Sequence, residues 1–519
     1  MFRRVFNRVE AAGKVAVSET VGHAGVAPGR VSTPRSTVRT RENGHSGDLS
    51  DVLSDLRNDS RLTARQRRDN QSWFEERLGI SGLNKHYGRK AFPVHSTYFF
   101  GEISTFAFLI LIITGILLAF VYIPSDTIVG YVPSSGPDEI APNGYQYPQA
   151  YASILAIESN TVLALLRNVH HWASHLFIFA IVLHTFRIFF QGTYRKPREL
   201  NWIVGVVLLV LAIANAFFGY SLPFDAYSIA ATSIGVNLAR AVPWIGDWAA
   251  ALVFGDSSYP AAGSLGRLYA LHIFVIPLLL SAAIAAHLII LVKTKHSQPS
   301  YAKKIAEPGR VLGVPLFPQQ AVLGIQLLFL TLGGLFLLSS FVPIHTVEAY
   351  GPPGSVLAEV KPEWYFMWIY GLLRILPSFN LFGIIDNNFV AGLLFPGIAF
   401  GLLALAPFLD RTNRGRGLRR VEYQEPPSQA PVRTTIGVFS LAYVSILFVA
   451  AYYDHPFSLT IGQTWLITLG VPLILAIGTY ALMKAREPKG IARFDPHGYY
   501  DEEDMADAER SERLPRAAD

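Results

Sequence analysis

The sequence predicts an all-α integral membrane protein with eight transmembrane helices. Three observations carry that prediction. Of the 519 residues 51% are hydrophobic and only 16% charged; eight apolar runs approach or exceed the roughly 20 residues that a bilayer core requires; and the cationic residues gather between alternate runs. There are no cysteines, which excludes structural disulfides, cysteine-held iron–sulfur clusters and covalent haem attachment, and leaves histidine, methionine or oxygen as ligands for any metal. The net charge of +6 is accounted for by loops and tails, so no nucleic-acid partner is expected.

Residues 1–90 are polar and rich in Arg, Ser and Gly, the composition of a cytoplasmic arm without a packed core, with a short amphipathic helix expected near residues 72–78. No cation-led apolar segment with a small-residue cleavage site stands near Met1, so no secretory signal is expected. The eight spans are predicted at about 101–123, 168–190, 202–222, 268–292, 320–342, 388–408, 434–453 and 462–483. The apolar stretch 364–376 is too short to cross and should lie at one surface. Loops 191–200, 293–319 and 409–435 hold 14 Lys or Arg, against 4 in the loops on the opposite side, so the positive-inside rule puts both termini in the cytoplasm. The domain reading is an arm (1–90), a four-helix bundle (91–300), two spans with a long outward loop (301–410), two further spans (411–483) and a charged cytoplasmic tail (484–519).

The second span carries the chemistry. Between Arg167 and Arg187 it holds four histidines in an apolar run, of which His170 and His184 are 14 residues apart. On a helix that is about 21 Å of rise with an angular offset of about 40°, so both rings leave one face at two depths. The fourth span offers His272 and His287 and runs in the same direction, so the depths match pairwise. Two imidazoles per iron make a six-coordinate haem suited to electron transfer, and the first four spans are therefore read as a bundle holding two haem b groups, an outer one on His170/His272 and an inner one on His184/His287.

The second pair is 15 apart rather than 14, which adds about 100° on an ideal helix; a kink at Pro277 is expected to absorb it. His171 and His175 have no partner at the required spacing and are read as packing or hydrogen-bonding residues. Gly101 and Gly115 in the first span, and Gly205 and Gly219 in the third, repeat the 14-residue spacing and are expected to present flat helix surfaces to the haems. Arg167 and Arg187, three residues beyond the ligands toward each surface, are placed to pair with haem propionates.

These residues resemble cytochrome b, the quinol-oxidising membrane subunit of cytochrome bc complexes, over about residues 91–455. The likeness is carried by Gly101 with Thr114-Gly115, by Arg167 to His170, by His184 with Arg187, and by the run from Asn201 through Phe217-Phe-Gly-Tyr-Ser-Leu-Pro223 to Asn237 and Pro243-Trp-Ile-Gly246. His272 with Pro277 and His287, and Pro362-Glu363-Trp364-Tyr365, complete it. The resemblance implies an outer quinol-oxidation site at the last motif. There Glu363 would accept a phenolic proton beside Tyr365, Pro362 and Trp364 would line the pocket, and Leu222-Pro223-Phe224-Asp225 would face it. It also implies a Q-cycle through both haems to an inner quinone, a Rieske iron–sulfur protein and a c-type cytochrome as partners, and a homodimeric complex.

No acid in residues 293–319 matches the family's inner quinone site, for which His296 and Lys293 are the candidates beside Gln319 and Gln320. The 15-residue spacing resembles plastid-type and many bacterial relatives. The single long chain, without a cysteine near Gly101, fits a bacterial plasma-membrane protein of the form found in Gram-positive lineages. The alternatives are a di-haem b anchor subunit of a dehydrogenase or hydrogenase, and a transporter whose histidines relay protons.

Overall fold

The computed structural model describes residues 91–93, 95–131, 145–304, 312–342, 344, 351–355, 361–410 and 423–486. The arm with its expected helix at 72–78, and the acidic tail, lie outside them. Among the described residues eight helices are long and apolar enough to cross a membrane: Ser96–Ala119, Thr161–Phe190, Glu199–Tyr220, Ser264–Thr294, Leu316–Phe341, Asn387–Leu409, Pro431–Ala450 and Ile461–Ala485. The second begins well before the expected residue 168. Asn160 caps it, its side-chain oxygen accepting from the N–H groups of Val162 and Leu163 at 3.0 and 3.1 Å, and the added turns are read as loop by hydropathy alone. The eighth opens on a capping box in which Thr460 and Gln463 satisfy each other's backbone N–H.

The first span packs along the second and the third along the fourth, and these two pairs form the bundle. The fifth span lies against the first two, the sixth against the third, and the seventh and eighth form a hairpin that touches the end of the second. The bundle interior between the two histidine levels is dry and tightly packed. Ala107, Phe177, Ile178, Leu209 and Ala212 are buried there, with Phe108 and Phe177 rings 5.6 Å apart.

The connections on the side of His170 are longer than loops and carry structure that no periodicity announced. A two-stranded ribbon pairs Ile128–Tyr131 with Tyr145–Pro148, followed by a helix at Gln149–Ser159. Two more helices, Ala226–Arg240 and Gly246–Phe254, fill the connection after the third span. They bury Tyr122, Tyr151, Leu222, Phe224, Val236 and Phe254 in one apolar cap over the bundle end. The short stretch expected at the surface forms a turn at Trp364–Phe366 and a helix at Met367–Ile375, packed against Leu447 and Ala450 of the seventh span. Gly371 is obligatory there, because a Cβ at that position would lie 1.8 Å from the Leu447 carbonyl oxygen.

On the opposite side a buried charge cluster ties the bundle to the C-terminal hairpin. Glu425 Oε2 lies 3.1 Å from Arg195 Nη1 and 2.7 Å from Arg433 Nη1, and all three side chains are at most 7% exposed. One carboxylate thus balances two guanidinium groups that water does not reach. Glu425→Ala removes the carboxylate that both guanidinium groups touch, leaving Asp410 as the remaining acid near Arg195, and should cost about 3–5 kcal/mol, read as a lowered thermal midpoint of the purified protein; an unchanged midpoint would show the cluster to be neutral to stability.

Candidate functional site

The histidine pairs meet as the spacing requires. The ring centroids of His170 and His272 are 6.1 Å apart, and those of His184 and His287 are 6.4 Å apart. Two imidazoles bound to one metal at about 2 Å per bond place their centroids about 6.4 Å apart, so each pair is set to hold one metal between its rings. The tautomers agree at the first level. Thr114 Oγ1 donates to the Ile110 carbonyl at 2.7 Å and so accepts from His170 Nδ1 at 2.8 Å; His272 Nδ1 donates to the Asn215 carbonyl at 2.9 Å. With both Nδ1 protonated, both Nε2 lone pairs remain for a metal, the usual arrangement of a ligating histidine. At the second level His287 lies beside the Asn201 backbone, 14 residues before Asn215. Paired neutral imidazoles of this kind are donors that suit a haem iron.

The irregularity expected near Pro277 takes the form of a π turn just before it. The chain makes one π-helical turn at Leu271–Val275, around His272 itself, with the Ile276 N–H reaching back five residues to the Leu271 carbonyl. A π turn absorbs one extra residue, so His272 and His287 regain one face. Pro277 follows this turn directly, inside the continuous helix Ser264–Thr294, where it has no N–H to return to the preceding turn.

The glycines take the expected levels, each beside one histidine ring. A Cβ on Gly115 would be 3.2 Å from the His170 ring and one on Gly219 2.5 Å from His272, while Gly101 and Gly205 meet His184 and His287 at 3.2 and 3.6 Å. Each glycine makes room for the edge of an imidazole at its own level, so the ligands themselves pack on bare backbone.

The arginines differ from each other. Arg167 is ion-paired with Glu158 at the end of the cap helix Gln149–Ser159. The guanidinium of Arg187 lies 3.8 Å over the Tyr98 ring, and its Nε and Nη2 are buried without a hydrogen-bond partner among the described residues. That orphaned cation, three residues past His184, suits a haem propionate.

Glu363, Trp364 and Tyr365 come together on the His170 side. Tyr365 is buried against Phe177 and Ile178 of the second span and Ala212 of the third. Trp364 Nε1 donates to His175 Nδ1 at 2.8 Å. Glu363 Oε2 lies 3.7 Å from His175 Nε2, and burial pushes its carboxyl up to about 7. Burial first, and the nearby Glu363 second, raise the Tyr365 phenol far above its ordinary range. Leu222 to Asp225 do not form the facing wall. Leu222 and Phe224 are buried in the cap, and Asp225 caps the helix Ala226–Arg240 through the Ser228 N–H at 2.7 Å. The wall is Phe217, whose ring is 6.0 Å from that of Phe366, and Tyr220 with Tyr227, whose hydroxyl donates to the Lys361 carbonyl at 2.7 Å.

Family models describe this chain in two parts: "Cytochrome b(N-terminal)/b6/petB" matches residues 175–352 and "Cytochrome b(C-terminal)/b6/petD" residues 352–467. The chain is 32% identical over 418 residues to the cytochrome bc1 complex cytochrome b subunit of Corynebacterium efficiens, covering 78% of this chain and 75% of that one. It is also 32% identical to the subunit of the same name from Mycobacterium leprae, covering 87% of this chain and 83% of that one. The chain belongs to the cytochrome b family. A solved structure titled "Hyperthermophilic respiratory Complex III" shares the fold, with a TM-score of 0.59 at 22% identity over 80% of this chain and 99% of that one. As a cytochrome b the chain is a multi-pass electron-transfer subunit. The N-terminal match begins five residues after His170, yet the structure completes the histidine set on the near side of that boundary.

At the His184 end the family's inner-site residues were the least legible. His296 packs 4.7 Å from Phe92 and 6.0 Å from Tyr98, centroid to centroid; burial, then Arg187 and Arg198, lower its imidazole to about 4, so it is neutral. The first span carries an acid near this end of the bundle. Glu102, next to Gly101, accepts from Gln320 Nε2 at 2.6 Å through one oxygen, while the other is buried without a partner among the described residues. Glu102 lies outside the loop 293–319, and its adjacency to Gly101 is the sequence signal for it. His175 is the hydrogen-bonding residue that its spacing suggests.

Gly219→Ala brings a methyl group within 2.5 Å of the His272 ring, whereas Gly205→Ala makes an ordinary contact at 3.6 Å with His287. The first should lower the haem bound per chain by about half, through loss at the His272 level, and the second should not displace its histidine. The pyridine haemochrome content of the two purified variants checks this.

Proposed function

We propose that the chain is the quinol-oxidising subunit of a quinol:cytochrome c oxidoreductase in a bacterial plasma membrane, with both termini cytoplasmic. Quinol is oxidised at the outward site formed by Glu363. One electron passes to a Rieske iron–sulfur protein, and the other crosses the membrane to a quinone at the His296 side, completing a Q-cycle. A c-type cytochrome subunit and a second copy of the complex complete the assembly. The observation that carries this reading is a half-buried carboxyl of raised proton affinity beside His175, on the span that also carries His170, backed by family membership.

His170 with His272, and His184 with His287, would hold two haems, which when bound supply one-electron carriers at two depths. Everything else falls to the side chains of the chain itself. Oxidation of a quinol releases two protons and two electrons. Glu363, held at the end of a short turn and screened from bulk water, accepts one phenolic proton in its carboxylate form. Its elevated pKa brings proton affinity close to operating pH, where a base accepts and releases a proton most readily. Tyr365, buried and protonated, walls the pocket and offers a hydroxyl, while Phe217 and Phe366 exclude water from the reacting ring. At the other end Glu102 and Gln320 pair in place to serve the proton uptake that quinone reduction needs, with Arg187 and the neutral His296 around Tyr98 at the same end.

Glu363→Gln should leave both haems spectroscopically intact and slow quinol oxidation by about 100-fold; turnover equal to the parent would remove the assigned role. In the parent the carboxylate is the active form, so turnover should fall as pH drops through about 7, a limb that a stopped-flow pH series resolves. His272→Leu should abolish the outer haem alone, and a redox titration that shows both haems lost, or both kept, would refute the pairing.

A further inference from the structure

Three donor groups outside the haem levels converge on the outward site: His171, His175 and Glu363 bring one ligand atom each within 4.8 Å of one another. A divalent cation is the first occupant to test against the geometry. A metal-bound histidine donates its other ring N–H to an acceptor. His175 does the reverse: its Nδ1 accepts the indole N–H of Trp364 at 2.8 Å, and an indole nitrogen can only donate. The neutral ring therefore carries its proton on Nε2. That nitrogen lies 3.0 Å from His171 Nε2 and 3.7 Å from Glu363 Oε2. Trp364 thus fixes the tautomer, and the fixed tautomer aims an N–H into the space between His171 and the carboxylate.

We propose that His175 is a positioning residue for Glu363: its Nε2–H, aimed by Trp364, orients the carboxylate toward the substrate and stabilises it in the ionised form. The inference rests on the proposed role of Glu363 as proton acceptor. The other ionisable groups around the carboxyl are His171 on the second span, Tyr220 at the end of the third, Tyr227 on the cap helix and Tyr365 beside it in the loop. Lys361, two residues away, has its ammonium 4.4 Å over the Tyr452 ring. His175 is the group among them with an N–H directed at the Glu363 oxygens by a third residue. In the structure this N–H is held by His171 at 3.0 Å and stands 3.7 Å from Glu363 Oε2, so it rests on His171 when Glu363 is protonated and turns to the carboxylate when Glu363 ionises. A small rotation of the imidazole exchanges one acceptor for the other, so protonation of Glu363 would leave no buried N–H unpaired.

The test is the pH profile of quinol oxidation by the purified complex. His175→Leu and His175→Met lack the donor, so the ionised carboxylate loses a hydrogen bond and the acid limb should move up by about one pH unit. His175→Gln keeps an amide N–H for Glu363 and an amide oxygen for Trp364, and its limb should stay within about 0.3 unit of the parent. Reduced-minus-oxidised spectra of all three should show both haem bands. An unmoved limb in the leucine and methionine variants overturns the inference, and so does an equal shift in the glutamine variant, which would mark His175 as structural only. Zinc inhibition lost equally in His175→Gln and Glu363→Gln would instead establish a cation site and also overturn it. Glu363→Gln, assayed alongside, separates the two readings. If that variant is slow but the His175 limbs do not move, only the positioning role fails; if it is as fast as the parent, the role of Glu363 itself fails.

Discussion

The structure depends on four imidazoles being held in two opposed pairs inside an apolar bundle. A ring that must present Nε2 to a metal has to be anchored through Nδ1, backed by open space and kept at a matching depth with its partner. Each requirement is visible in the residues around it: Thr114 and the Asn215 carbonyl anchor the first pair, glycines back all four rings, and a π turn restores the depth match. The glycine spacing equals the ligand spacing because each glycine serves one ligand. Phe108, Phe177 and Leu209 pack in the bundle interior.

Functional groups then settle where that frame leaves a boundary. On one side the cap brings Tyr220 and Tyr227 against the Glu363 loop, and the second span reaches it with His175 and the neighbouring Tyr365 contact. The result is a carboxyl with few polar partners, and loss of solvation rather than a neighbouring charge raises its proton affinity. On the other side arginine density is high, and the neutral state of His296 follows from burial among those cations. The two ends of one bundle thus differ: a carboxyl of raised proton affinity at one end and a cation-rich pocket at the other.

The charges that oriented the chain are only partly surface charges. Arg195 and Arg433 both count toward the cation-rich side, yet both are buried around Glu425. The positive-inside rule scores Lys and Arg whatever their acidic neighbours, so the topology reading is unaffected, but those two residues act as a clamp between the bundle and the hairpin. A similar double use appears in Arg167, which matches the propionate spacing and is instead ion-paired to Glu158 of the cap.

Helix periodicity and side-chain chemistry determined much of this protein from sequence alone. The number of spans, the matched histidines, the glycine levels and the Pro-Glu-Trp-Tyr loop are one-dimensional spacings that an α-helix converts directly into depth and face. Only the tertiary structure decided the rest, for reasons of geometry. Whether a 15-residue spacing is repaired by a proline or by a π turn depends on local hydrogen bonding that no spacing encodes. The cap helices bury short apolar faces of ordinary composition, so they read as loop until their partners are known. The tautomer of His175 depends on an indole 189 residues away, and Glu102 gains its meaning from Gln320 across 218 residues; contacts of that range exist only after the chain has folded.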